Sequence, residues 1–259
     1  MKFISTFFLF FILIMTANSE IITSDVDYKI GDLTLQGYIA YDNNNSGKRP
    51  GILIVHQWKG LTDYEKMRAR QLAELGYFAF AVDIYGKGVR PESTQEAGEL
   101  SGKFSKDRQL FRERLTAGFD AMKMQSLVDI NNIAAIGYCF GGGGVLELAR
   151  TGADMKGTVS FHGSLKNPNP LDAQNIKGRV MVLHGAIDPF VPEEDVVAFK
   201  KEMDDAKKDY VLTEYSGAVH SFTIPTAGSD ISTGSAYNEK ADKRSWDAMK
   251  NFFEEIFTK

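Results

Sequence analysis

Apolar and polar positions along this chain fall into short blocks that alternate between two periods. Residues 21–41 alternate polar and apolar around Gly31-Asp32, which predicts an antiparallel hairpin on the edge of a sheet. The continuous apolar runs 51–56 and 77–82 predict strands buried on both faces. Between them Tyr64, Met67, Leu72 and Leu75 mark a helical stripe, with Asp63 as the predicted cap and Gly76 as the stop. A second stripe, Phe111, Leu115, Phe119 and Met122, predicts a helix over residues 107–124. Further strands are predicted at 133–136, 158–163, 179–185 and 210–215. Val196, Phe199 and Met203 mark one later helix, and Trp246, Met249, Phe253 and Ile256 the last. Strands and helices alternating in this way predict an α/β fold: a mostly parallel, doubly wound sheet with helices on both faces and an N-terminal antiparallel hairpin.

The first nineteen residues differ from the rest. Lys2 is followed by an almost wholly apolar run from Phe3 to Met15, and small residues at Ala17 and Ser19 precede Glu20. This predicts a cleaved secretory signal peptide over 1–19 and a single domain over 20–259, exported to the periplasm or secreted. The apolar run is shorter than the ~20 residues that span a bilayer, so no stable membrane anchor is expected. A lone cysteine excludes an internal disulfide, and stability after export must come from the core. The formal charge of −4, with Lys and Arg dispersed, argues against a nucleic-acid partner.

Cys139 carries the chemistry. An apolar strand enters Gly137-Tyr138-Cys139-Phe140-Gly141-Gly142, and an apolar helix, 145–149, leaves it. Glycines at −2 and +2 suit a sharp strand-to-helix turn that leaves no room for a Cβ. That turn is a nucleophile elbow with a thiol in place of a hydroxyl, and it aims the Phe140 N–H at a developing oxyanion. A buried cysteine in a glycine-rich turn is the alternative. The downstream order decides for chemistry: Asp188 follows one predicted strand and His220 the next, which is the order nucleophile, acid, histidine. Asp188 can also serve as a turn residue before Pro189. His56, His162 and His184 end apolar strands and are read as structural. The four histidines show neither i, i+4 helical pairing nor a Cys-x-x-Cys partner, so no metal is expected. The glycines 141–144 lack the Lys-Ser/Thr of a phosphate loop, and no cofactor is expected.

On these residues, and on His56-Gln57-Trp58-Lys59-Gly60-Leu61, the chain from about residue 21 onward resembles the dienelactone hydrolase (carboxymethylenebutenolidase) family of α/β-hydrolases. The resemblance implies a Cys139, Asp188, His220 triad that attacks a cyclic or linear carboxylic ester through an acyl-thioenzyme. It adds the Trp58 N–H to that of Phe140 in the oxyanion hole, makes Tyr85 and Trp58 apolar walls, and offers Arg90 and Lys87 for the binding of a substrate carboxylate, with solvated surface charges as the favoured alternative for both. The family's glutamate beside the thiol is Gln57 here. An amide cannot accept a proton, so deprotonation of the thiol falls to His220. The expected partner is a small-molecule ester or lactone, with monomer and homodimer both open. Two other readings stand beside this one: a general esterase or thioesterase, and a catalytically silent binding protein that retains the hydrolase fold.

Overall fold

The computed structural model describes residues 20–44 and 46–258; the signal peptide expected at 1–19 lies outside the described residues. The opening hairpin is β1 (Ile21–Ile30) and β2 (Leu33–Asp42), turning at Gly31. Then come β3 (Arg49–Val55), α1 (Asp63–Glu74), β4 (Phe78–Val82), α2 (Thr94–Lys106), α3 (Arg108–Lys123), β5 (Val128–Tyr138) and α4 (Phe140–Arg150). The chain ends with β6 (Gly157–Phe161), β7 (Arg179–Gly185), α5 (Glu193–Asp205), β8 (Tyr210–Tyr215) and α6 (Glu239–Phe257). The eight strands form one sheet in the order β1-β2-β4-β3-β5-β6-β7-β8. β2 pairs antiparallel with β1 and β4, and every pair from β4 through β8 is parallel.

Successive side chains of a strand face opposite sides of the sheet, and this pleat divides the core in two. Leu53 and Val55 of β3 join Phe111, Leu115 and Phe119 of α3 and the apolar face of α4 on one side. Ile52 and Ile54 join Leu72 of α1 and Met249 and Phe253 of α6 on the other. The parallel pairing also levels the carboxyl ends of the strands: Val55 lies opposite Gly137, Tyr138 opposite Phe161, and Gly185 opposite Tyr215. The loops that leave these ends are therefore neighbours, at the edge where open α/β sheets bind ligands.

Two local readings are corrected. The cap of α1 is Thr62 rather than Asp63, because a capping box forms there: the Thr62 side chain accepts from the helix backbone, and Glu65 reaches back to the Thr62 N–H. The helix α2 was not anticipated. Of its residues only Ala97 and Phe104 are buried, and Gly98 and Gly102 weaken its propensity, so it carries almost no apolar stripe.

Candidate active site

The elbow is built as its glycines require. A Cβ on Gly137 would lie 2.0 Å from the Gly141 carbonyl oxygen, and one on Gly141 would lie 2.1 Å from the Val55 carbonyl oxygen. Both obstacles are backbone, so neither can move aside. Cys139 itself sits between β5 and α4 with φ 55° and ψ −116°, a conformation that strains any residue with a Cβ and that is found mainly where function demands it. Its backbone is held by two acceptors: the N–H reaches the Phe161 carbonyl at 3.0 Å and His162 Nδ1 at 3.1 Å. The thiol is half-buried.

Thiol and imidazole line the same cavity of about 220 Å³, together with Trp58, Ser101, Ser105, Phe140, Ser164 and Phe190. His220 Nδ1 lies 2.8 Å from Asp188 Oδ2, and the Asp188 side chain is wholly buried. The other Asp188 oxygen accepts the Phe190 N–H at 2.9 Å. Burial opposes a charge on the His220 ring, but the Cys139 sulfur beside it and the Asp188 carboxylate outweigh burial and push its pKa up to about 10. Phe190 packs edge-on against the ring, with centroids 5.4 Å apart.

Burial disfavours the charged form of the remaining histidines. Burial lowers His162 well below its ordinary range. Its Nδ1 accepts the Cys139 N–H, so its Nε2 carries the proton and donates to Thr223 Oγ1 at 2.8 Å. His184, at the end of β7, is likewise lowered by burial, and His56 is pushed down to about 4, chiefly by burial. These groups give a pH dependence whose sign is fixed. An unfolded histidine takes up its proton near 6.5, whereas folded His56 resists until about 4, so its contribution to stability is full above about pH 6.5 and declines as pH falls toward 4. Urea midpoints measured from pH 7 to pH 4.5 should fall, and His56→Asn should flatten the slope; an unchanged slope in that variant contradicts the assignment.

Tyr85, expected as an apolar wall, is buried and is not among the residues that line the thiol's cavity. Its hydroxyl donates to the Trp58 carbonyl at 2.7 Å, and its ring contacts His56, Phe104 and Phe140. Burial, with the charge of the Cys139 sulfur second, raises its phenol. Asp83 fixes the Tyr85 loop by accepting the N–H groups of Tyr85 and Gly86. Gln57, by contrast, faces a separate groove of about 580 Å³ bounded by Lys59, Met67 and Ile224, and no hydrogen bond joins its side chain to the thiol among the described residues.

Arg90 is not brought to the thiol's cavity. It donates to the Leu61 carbonyl at 2.9 Å, lies 3.7 Å from Asp83, and so braces the loop before α1. Lys87 pairs with Asp27 at the surface. The sequence reading also missed Ser101 and Ser105, which arrive on α2, and Ser164 and Phe190, which arrive on loops with no apolar pattern. The described residues contain no cluster of His, Cys, Asp and Glu able to hold a metal ion, and no helix among them is long and apolar enough to cross a membrane.

A mostly parallel sheet with an antiparallel leading hairpin, and a sharp turn after β5 that presents a strained cysteine, define an α/β-hydrolase. Residues 35–257 match the model of the dienelactone hydrolase family, and the chain belongs to that family. It is similar to the solved structure of m3DLH, with 38% identity over 92% of this chain and 99% of that one and a TM-score of 0.88. A dienelactone hydrolase-like promiscuous phosphotriesterase from metagenomic libraries, P91, is 40% identical over 93% of this chain and all of that one, again with a TM-score of 0.88. A Saccharolobus solfataricus protein that carries the provisional name carboxymethylenebutenolidase is 26% identical over 90% of this chain and 98% of its own length. The protein is a carboxylic ester hydrolase, with esters or lactones of small molecules as its substrates.

Proposed function

We propose that Cys139, His220 and Asp188 hydrolyse a carboxylic ester or lactone through an acyl-thioenzyme, in an exported protein. The observation that carries this reading is the ring of His220, held by a buried carboxylate on one side and set beside the Cys139 sulfur on the other. Asp188 fixes the tautomer and orientation of the imidazole. His220 accepts the thiol proton, leaving a thiolate–imidazolium pair. The sulfur attacks the ester carbonyl carbon, and the negative charge moves to the carbonyl oxygen, where the Phe140 and Trp58 N–H groups receive it. Collapse of that intermediate breaks the ester C–O bond, and His220 returns the proton to the leaving oxygen. A water then attacks the thioester, giving up its proton to His220, and releases the acid and the free thiol.

The family resemblance implies a glutamate where this chain has Gln57. With no carboxylate to take the thiol proton, the thiolate forms in the resting enzyme through His220. Iodoacetamide should therefore alkylate Cys139 nearly as fast at pH 6.5 as at pH 8, and His220→Ala should abolish reaction at the lower pH. A rate that rises tenfold per pH unit in the wild type, unaltered by His220→Ala, contradicts this activation.

A cleft of about 350 Å³ that shares Ser105, Phe140 and Ser164 with the thiol's cavity is lined by Lys106, Arg108 and Lys166 beside one carboxylate, Glu147, and this excess of cations favours acyl groups that end in an acid. Assay of nitrophenyl esters with neutral and carboxylate-tipped acyl chains, beside small lactones, tests the reading; turnover of none of them contradicts it. The likeness to P91 favours one further substrate class, neutral phosphotriesters, where the same sulfur would attack phosphorus. A dialkyl nitrophenyl phosphate belongs in the same panel.

A further inference from the structure

We propose that His56 is a positioning residue of the oxyanion hole: its buried imidazole clamps the peptide unit between Gln57 and Trp58 and thereby sets the direction of the Trp58 N–H. The inference rests on the reading of that N–H as an oxyanion donor.

The hydrogen bonds around this peptide leave little freedom. His56 Nδ1 lies 2.6 Å from the Gln57 carbonyl oxygen, which can only accept, so Nδ1 carries the proton. The opposite nitrogen, Nε2, accepts the Ile84 N–H at 3.3 Å, which is possible only for the same neutral tautomer. The Gln57 carbonyl also accepts the Gly60 N–H at 3.1 Å. Around the same unit, the Gln57 N–H goes to Glu65 Oε1 at 3.2 Å, and the Trp58 carbonyl takes the Tyr85 hydroxyl at 2.7 Å. Among these backbone groups the Trp58 N–H alone has no protein acceptor among the described residues. In a trans peptide the N–H points opposite to the carbonyl. A carbonyl fixed toward His56 therefore commits the Trp58 N–H to the other side, and Trp58 borders the cavity that holds Cys139.

His56 differs in this from a generic buried histidine. It is fully buried, yet both of its partners are backbone groups of site loops, one after β3 and one after β4. Its ring also lies against Tyr85 and Phe140, with centroids 4.8 and 5.9 Å away. One imidazole thus connects the two loops that frame the site with the residue whose N–H is the second proposed donor.

The test separates hydrolysis, which develops an oxyanion, from iodoacetamide alkylation, which does not. His56→Leu should lower kcat for a nitrophenyl ester by about 10²-fold, the usual effect of losing one oxyanion donor, with KM little changed and the Cys139 alkylation rate retained. His56→Asn keeps an N–H near the position of Nδ1 and should recover most of that loss. Tyr85→Phe removes the second grip while keeping the ring, and should lower kcat by about tenfold without slowing alkylation; it serves if the leucine variant fails to fold. Hydrolysis at the wild-type rate in both His56→Leu and Tyr85→Phe, parallel loss of alkylation and hydrolysis, or an asparagine variant no better than leucine would overturn the proposal. Alkylation without any ester turnover in the wild type would instead overturn the reading of Trp58 on which it rests.

Discussion

His220→Ala is expected to lower kcat/KM for a nitrophenyl ester by roughly 10⁴-fold or more, and Cys139→Ala by at least as much, with the double variant no worse than either single one. The lack of additivity is the informative part. Sulfur and imidazole act as one unit in which the ring takes the proton that the sulfur releases, so the loss of either removes the same step. What survives is binding and the two backbone donors, neither of which uses the ring. The fold should tolerate the change. Asp188 keeps the Phe190 N–H as a partner, so removal of the ring leaves one carboxylate oxygen unsatisfied and destabilises by about 1–3 kcal/mol. A thermal melt with the kinetics separates the two effects: a variant that melts within a few degrees of wild type and has lost activity has lost chemistry. An alanine variant that keeps a tenth of the wild-type rate contradicts the role of His220.

Gly137→Ala should be among the most damaging single-methyl additions in the chain. The new carbon would lie 2.0 Å from the Gly141 carbonyl oxygen and 2.3 Å from its carbon, and the helix that carries those atoms is packed between α3 and the sheet. Relief requires moving α4 away from β5, which takes the Phe140 N–H and the cysteine with it. The expected result is a loss of roughly 4 kcal/mol or more, the range of severe core substitutions, together with loss of ester turnover. Gly98→Ala is the matching control. No atom lies within 4 Å of the added carbon, and alanine in a helix interior is favoured over glycine by about 0.5–1 kcal/mol, so this variant should melt slightly higher than wild type and keep full activity. Chemical denaturation of the pair checks both; a Gly137→Ala protein as stable as wild type would mean that the elbow is not packed as described.

How much of this was legible in the residues follows from burial. The runs 51–56, 77–82 and 179–185 became β3, β4 and β7 because strands covered on both faces leave an unbroken apolar signature. The elbow was legible because Gly137 and Gly141 flank Cys139 at the spacing a sharp strand-to-helix turn needs, Gly137 against the Gly141 backbone four residues on. What escaped was set by contacts distant in sequence. α2 meets the core through little more than Ala97, Leu100 and Phe104, so its pattern was too thin to read, and Ser101 and Ser105 went unseen with it. Thr62 was displaced as a cap by its acidic neighbour, although Thr62 and Glu65 have the spacing of a capping box. Arg90 lies near enough along the chain to face the substrate, yet Leu61 and Asp83 capture it. His56 ends its strand just as His162 and His184 do. The position of Ile84, brought beside it by the parallel pairing of β3 with β4, fixes the tautomer that lets its Nδ1–H hold the Gln57 carbonyl.

The central claim is a covalent bond between the substrate's acyl group and one sulfur. Acid quenching during turnover of a slow nitrophenyl ester, followed by peptide mass analysis, measures it. The account predicts one acyl group on the peptide that contains Cys139 and none in Cys139→Ala. Acylation at a serine or lysine instead, or ester turnover that persists in Cys139→Ala, would contradict it.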